Sequence, residues 1–144
     1  MEPVRGARVL IVDANAHIRR LIATLLGAVG ITDLVEARTP MAAVPLMLEQ
    51  PPDLVIIDWT TDPTEVLLFI HRLRHGELAG SRTQVLALAS STHHAVLERA
   101  WQAGIDDVIA KPMSAIELIQ RSSALLASAR RSEPPAAADA AAAE

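Results

Sequence analysis

The hydrophobic pattern of this chain switches repeatedly between two periods. Short unbroken apolar runs alternate with longer stretches whose apolar residues recur every three or four positions. The clearest run is Asp53-Leu54-Val55-Ile56-Ile57-Asp58, where apolar and largely β-branched residues lie between two acids. Such a run predicts a strand buried on both faces, as in a parallel sheet covered by helices above and below. Arg8-Val9-Leu10-Ile11-Val12-Asp13 repeats the theme and predicts the first strand. Leu34-Val35-Glu36-Ala37 gives a weaker second strand, Gln84–Ala89 a fourth and Asp107–Ala110 a fifth.

Between these runs the spacing is helical. Ile18, Leu21, Ile22, Leu25, Leu26 and Val29 form one apolar face, and Gly30 supplies a stop signal. Thr39-Pro40 predicts a second helix, with Thr39 as N-cap and Pro40 in the first helical position. Pro45 conflicts with it, because an interior proline loses a hydrogen bond and clashes with the preceding turn, at about 3 kcal/mol. That helix is therefore either kinked or begins near Pro45, and Pro51-Pro52 closes it. A third helix spans about Thr64 to Arg74, with Val66, Leu67, Phe69, Ile70 and Leu73 inward, and Gly76 to Arg82 reads as a polar loop. The fourth helix runs from about His93 to Ala103 and stops at Gly104. Lys111-Pro112 is a bond that can be cis. Ser114-Ala115-Ile116-Glu117 is a capping box opening a last helix that runs to about Arg130. Residues 1–131 form the expected domain, and 132–144, rich in alanine, proline and acid, the expected disordered tail.

Strands alternating with helices of this length imply an α/β fold with a parallel sheet and right-handed crossovers. At 144 residues the chain suits one domain with a full core. No apolar run approaches the length of a membrane span, and the start has no secretory h-region, so a cytoplasmic protein is expected. The absence of cysteine excludes disulfides, thiol catalysis and thiolate metal sites. A net charge of −4, with Trp59, Trp101 and Phe69 as the only aromatics, argues against a DNA-binding surface. Ala14-Asn15-Ala16-His17 follows the first strand where a dinucleotide-binding enzyme needs glycines, and no Walker-type run exists. A non-enzymatic module is the expectation.

Three polar groups fall at the carboxyl ends of strands, where open α/β sheets collect ligands and chemistry: Asp13, Asp58 and Lys111. Two carboxylates together suit a hard cation such as Mg²⁺. A lysine opposite them neutralises a phosphoryl group, and a carboxylate so placed can act as a nucleophile and carry an acyl phosphate.

With these residues the chain resembles the receiver domain of two-component response regulators, the chemotaxis regulator among them. The resemblance covers about residues 7–130. It is carried by Val9-Leu10-Ile11-Val12-Asp13 with His17-Ile18-Arg19-Arg20-Leu21, by Asp53–Trp59, by Ala103-Gly104 and by Ala110-Lys111-Pro112. It implies a flavodoxin-like sheet of order 2-1-3-4-5. It implies that Asp58 is the phospho-acceptor and that Lys111 contacts the phosphate. It also implies that Asp13, Asp58 and the Thr60 backbone carbonyl hold Mg²⁺.

The chain departs from the family pattern at several positions. Ala14 stands where the family has a second acid, its direct metal ligand. Ala89, with Ser90 beyond it, stands where a Thr or Ser bonds the phosphoryl oxygen, and Val108 stands where an aromatic ring completes the switch. Thr61-Asp62 replaces the usual Met-Pro. Two unit charges at 4 Å are worth about 4 kcal/mol at an effective dielectric near 20, so loss of a carboxylate should weaken Mg²⁺ binding substantially. The resemblance therefore predicts a stand-alone, atypical receiver. It would take its signal from a sensor histidine kinase or phosphotransfer protein and answer through protein contacts at helix four, strand five and the last helix.

The alternative is a phosphorylation-independent module for dimerisation, or for an anionic ligand such as a cyclic dinucleotide held by Arg121, Arg130 and Arg131 on the last helix. A flavin carrier is disfavoured, because no phosphate-cradling run follows the first strand. His17, the His71/His75 pair, His93-His94 and Trp101 are expected to be surface or packing residues.

Overall fold

The computed structural model describes residues 6–59, 63–78, 82–90 and 94–132. Its elements alternate as the pattern predicts: β1 (Arg8–Val12), α1 (Ala16–Ala28), β2 (Asp33–Ala37), α2 (Pro40–Glu49), β3 (Leu54–Asp58), α3 (Pro63–Arg74), β4 (Gln84–Ala89), α4 (His94–Ala103), β5 (Asp107–Ala110) and α5 (Ala115–Ser132). The strands form one five-stranded sheet of order β2-β1-β3-β4-β5, and every pairing is parallel.

Strand parity divides the core into two layers. Leu10, Val12, Val55, Ile57, Val85 and Ala87 point one way, onto Ala43 and Met47 of α2, Val66, Phe69, Ile70 and Leu73 of α3, and Ala100 of α4. Val9, Ile11, Leu54, Ile56, Leu86 and Leu88 point the other way, onto Ile22 and Leu26 of α1 and Leu118 and Leu126 of α5. This explains the near-continuous apolar runs: a strand sandwiched between helices has no wet face. β3 is buried along its whole length, Asp58 included.

Local chemistry sets the helix ends. Thr39 caps α2 by accepting from the Ala42 N–H at 3.0 Å, and Pro40 occupies the first turn. α2 begins there and runs through Pro45, which resolves the alternatives that Pro45 raised. Pro45 faces outward, so the carbonyl it leaves unbonded lies towards solvent. Asn15 caps α1 through the N–H groups of His17 and Ile18. The capping box of α5 is half formed. Ser114 Oγ accepts from the Glu117 N–H at 3.4 Å, but the Glu117 carboxylate approaches Arg121 at 3.9 Å instead of closing the box. The stretch after α3 is not wholly polar, since Leu78 is completely buried there.

Several polar residues staple the frame. Arg74, at the end of α3, donates to the carbonyls of Gly104 (2.9 Å) and Thr83 (2.7 Å) and to Asp106 Oδ2 (2.6 Å). Asp106 Oδ2 also accepts from the Val85 N–H at 2.7 Å, so one cluster fixes the amino ends of β4 and β5 against α3. Thr83 Oγ1 donates to the Pro52 carbonyl at 2.6 Å, and Asp53 Oδ2 accepts from the Arg8 N–H at 2.9 Å. These anchors sit at the amino ends of strands and leave the carboxyl ends open to form a site.

Among the described residues no helix is long and apolar enough to cross a membrane. Residues 133–144 lie outside the described residues, as does the expectation of a disordered tail there.

Candidate functional site

Sheet register brings the two acids side by side. Val12 lies opposite Ile57, so the next residues, Asp13 and Asp58, stand level at the carboxyl ends of adjacent strands. The Asp13 N–H extends the ladder to the Ala37 carbonyl at 3.1 Å, and the Trp59 N–H does the same to Leu88 at 2.8 Å. Lys111 leaves β5 with its N–H bonded to the Ala89 carbonyl at 2.9 Å. The Lys111 side chain then reaches back over the sheet edge. Its Nζ lies 3.2 Å from Asp13 Oδ2 and 3.2 Å from Asp58 Oδ1.

Asp13 is 3% exposed and Asp58 7%. Removing two carboxylates from water is expensive, several kcal/mol per ion after relaxation, and needs a shared cation to offset it. Lys111 is that cation. Asp13 is held further by the Asn15 N–H, which donates to Oδ1 at 2.8 Å, and its own carbonyl accepts from Arg19 Nη1 at 2.6 Å. Arg19 is oriented in turn by Glu36, at 3.0 Å from Nε. A narrow cleft opens beside the acids, lined by Asp13, Ala14, Arg38, Thr39, Asp58 and Glu65 among others.

Of the residues singled out from the sequence, Asp13, Asp58 and Lys111 converge on one point. Ala14 is exposed and lines the cleft with a methyl group. Ala89 is buried in the core layer under α4, Val108 packs partly buried against that layer, and Ser90 is exposed beyond the strand. Thr60, whose carbonyl is an expected ligand, Thr61-Asp62 and His93 lie outside the described residues.

Away from the cleft, His71 and His75 are exposed, with ring centroids 4.0 Å apart and His75 Nδ1 2.8 Å from the His71 carbonyl. Trp101 is 48% exposed, more open than a packing residue. Arg121 is bound to both oxygens of Asp107, at 2.7 and 2.8 Å, and this bond raises its pKa. It thereby joins α5 to β5. Arg38 and Glu65 were not legible as site residues. Their place in the cleft follows from register and helix docking, which no local motif announces.

The arrangement can do nucleophilic chemistry: a carboxylate at a strand end, a fixed ammonium beside it, and an open approach. Residues 9–123 match the family model of the response regulator receiver domain. The chain belongs to that family. Chemotaxis protein CheY-3 of Vibrio cholerae is 26% identical over 117 residues, covering 81% of this chain and 89% of that protein. The phosphate regulon transcriptional regulatory protein PhoB of Pseudomonas aeruginosa is 32% identical over 129 residues. That match covers 90% of this chain and 54% of PhoB, so the chain spans about half the length of this relative. Among solved structures, the receiver domain of the Francisella response regulator 1452 aligns with a TM-score of 0.74 at 26% identity, over 84% of this chain and 97% of that one. A response regulator from Chloroflexus aurantiacus, at 23% identity and a TM-score of 0.77 over 85% of this chain and 99% of that one, shares the fold. The receiver domain thus has the flavodoxin-like order 2-1-3-4-5.

Receiver domains generally bind Mg²⁺ at this position. Among the described residues, the donor set of this one does not fit the ion. Among the described residues no three of His, Asp or Glu gather as metal ligands. Lys111 occupies one oxygen of each of the two acids, and the Asn15 N–H takes the remaining oxygen of Asp13. A dication would have to displace the ammonium, with Ala14 offering no carboxylate in return.

Proposed function

We propose that this receiver is a phosphoryl-accepting signalling module of a two-component phosphorelay, with Asp58 as an acceptor of reduced competence. The supporting observation is the Lys111 ammonium held 3.2 Å from both Asp13 and Asp58 at adjacent strand ends. A carboxylate oxygen of Asp58 attacks the phosphorus of a phosphohistidine on a sensor histidine kinase or phosphotransfer protein. The P–N bond breaks, and the imidazole leaves with the electron pair and takes a proton from water. Asp58 then carries a mixed carboxylic–phosphoric anhydride. Lys111 offsets the charge that accumulates on the phosphoryl oxygens. The step is not routed through Mg²⁺.

Output is proposed to pass by protein contact at α4, β5 and α5, where Trp101 offers a half-exposed aromatic anchor. The test is intact mass after incubation with a small phosphodonor. Asp58→Asn should abolish a gain of one phosphoryl group seen in the wild-type protein; a gain that survives the substitution overturns the assignment.

A second reading has one observation in its favour. Ala89 and Val108, at the switch positions, carry neither a hydroxyl nor a ring to couple the pocket to the α4–β5 face. The domain would then act without phosphorylation, as a dimerisation module or pseudo-receiver. Lack of any phosphoryl gain, with dimer formation unchanged in Asp58→Asn, is its signature.

A further inference from the structure

Arg38 follows Ala37, whose carbonyl accepts the Asp13 N–H at 3.1 Å. It is therefore the neighbour of Asp13 across the end of the sheet, and it lines the same cleft as Asp13, Ala14 and Asp58. It is exposed, and among the described residues it forms no hydrogen bond or ion pair. Arg19 and Arg74, by contrast, are tied down by carboxylates. Glu65 also lines the cleft, but one of its carboxylate oxygens accepts from the Met41 N–H at 3.1 Å, at the start of α2.

The charge of this cleft differs from that of a metal-dependent one. Ala14 supplies no carboxylate, and Arg38 lines the cleft with a cation from the end of β2. Asp13, Asp58 and Glu65 line the cleft with Arg38, and Lys111 pairs with Asp13 and Asp58, so the formal charge of the group is −1 before any phosphoryl group arrives. A phosphoryl group brings up to about two more. A guanidinium is planar, permanently charged and matched to two phosphate oxygens at once, and it needs no coordination sphere.

We infer that Arg38 is a phosphate-binding residue that stands in for the divalent cation, so that Asp58 takes a phosphoryl group without metal. This rests on the reading of Asp58 as acceptor. Arg38 and Lys111 both hold the transferring group, Lys111 from the end of β5 and Arg38 from the β2–α2 turn. The cation requirement is thereby met by the chain itself.

The test is the initial rate of phosphoryl gain from phosphoramidate, by intact mass, in excess EDTA and in excess Mg²⁺. Wild-type protein should differ by less than about twofold between the two conditions. Arg38→Gln should fall by about tenfold or more in EDTA, the scale of losing a charged hydrogen bond, with Arg38→Lys keeping part of the rate. Ala14→Asp should convert the protein to Mg²⁺ dependence. A wild-type rate that needs Mg²⁺, or an Arg38→Gln rate equal to wild type in EDTA, overturns the inference and leaves Asp58 as acceptor. Absence of phosphoryl gain in every protein and condition overturns both. Arg38 is exposed, so unchanged thermal melting confirms that the variants are folded.

Discussion

At the scale of single residues, the cleft is a problem of charge. Two nearly buried acids share one amine that is itself partly exposed, so each depends on Lys111 for its burial. Lys111→Met should cost about 2 kcal/mol of stability, below the range for a fully buried pair because the amine keeps some solvent contact. Adding Asp13→Asn to that variant should restore part of the loss, since one of the two stranded charges is then gone. Urea titration of the two variants checks this; a double variant less stable than Lys111→Met would show that the Asp13 carboxylate is held by the Asn15 N–H rather than by the amine. Asp13, Asp58 and Lys111 were legible because each is a polar residue that ends an apolar run. Arg38 and Glu65 were not, because an arginine after a weak edge strand and a glutamate in a first helical turn look like ordinary solvated residues.

At the scale of elements, the apolar runs and helical spacings located every strand and helix because parallel strands covered on both faces leave an unambiguous pattern. What they missed is the polar stapling. Arg74 looks like a basic residue at a helix C-terminus, yet it joins α3 to the starts of β4 and β5 through three hydrogen bonds. Arg74→Ala should destabilise the fold by about 2 kcal/mol. Gly104 ends α4 with φ +108°, and a Cβ there would lie 3.0 Å from Arg74 Cγ. Gly104→Ala should therefore cost about 1–3 kcal/mol from backbone strain alone, with the contact adding to it. In an Arg74→Ala background the contact term disappears, so the double-variant cycle should be non-additive, with Gly104→Ala milder there. Additive losses would mean that strain in the backbone, not the side-chain approach, sets the whole cost. Leu78 was missed for a related reason: a single apolar residue in a Gly- and Glu-containing turn has no periodicity to reveal that it is core.

At the scale of the whole molecule, the proposed output requires a cleft at one end of the sheet to be coupled to a docking face along α4, β5 and α5. Ala89 and Val108 sit between them without a hydroxyl or an aromatic ring. Phosphorylation should therefore shift backbone amide resonances around residues 13, 58 and 111 and leave those of α4 and β5 near their starting positions. Ala89→Thr with Val108→Tyr should extend the shifts to that face; large α4 shifts in the unsubstituted protein would reveal a different coupling route. The sequence made the fold and the acid–amine triad readable, but not the pairing of Arg121 with Asp107, which joins α5 to β5. The central claim is that Asp58 forms an acyl phosphate, and borohydride trapping tests it most directly. After treatment with a phosphodonor, reduction should convert residue 58 alone to homoserine in the peptide that contains Leu54–Asp58. Recovery of that peptide with Asp58 unchanged, while the phosphoryl group appears at a serine or histidine, would contradict the account.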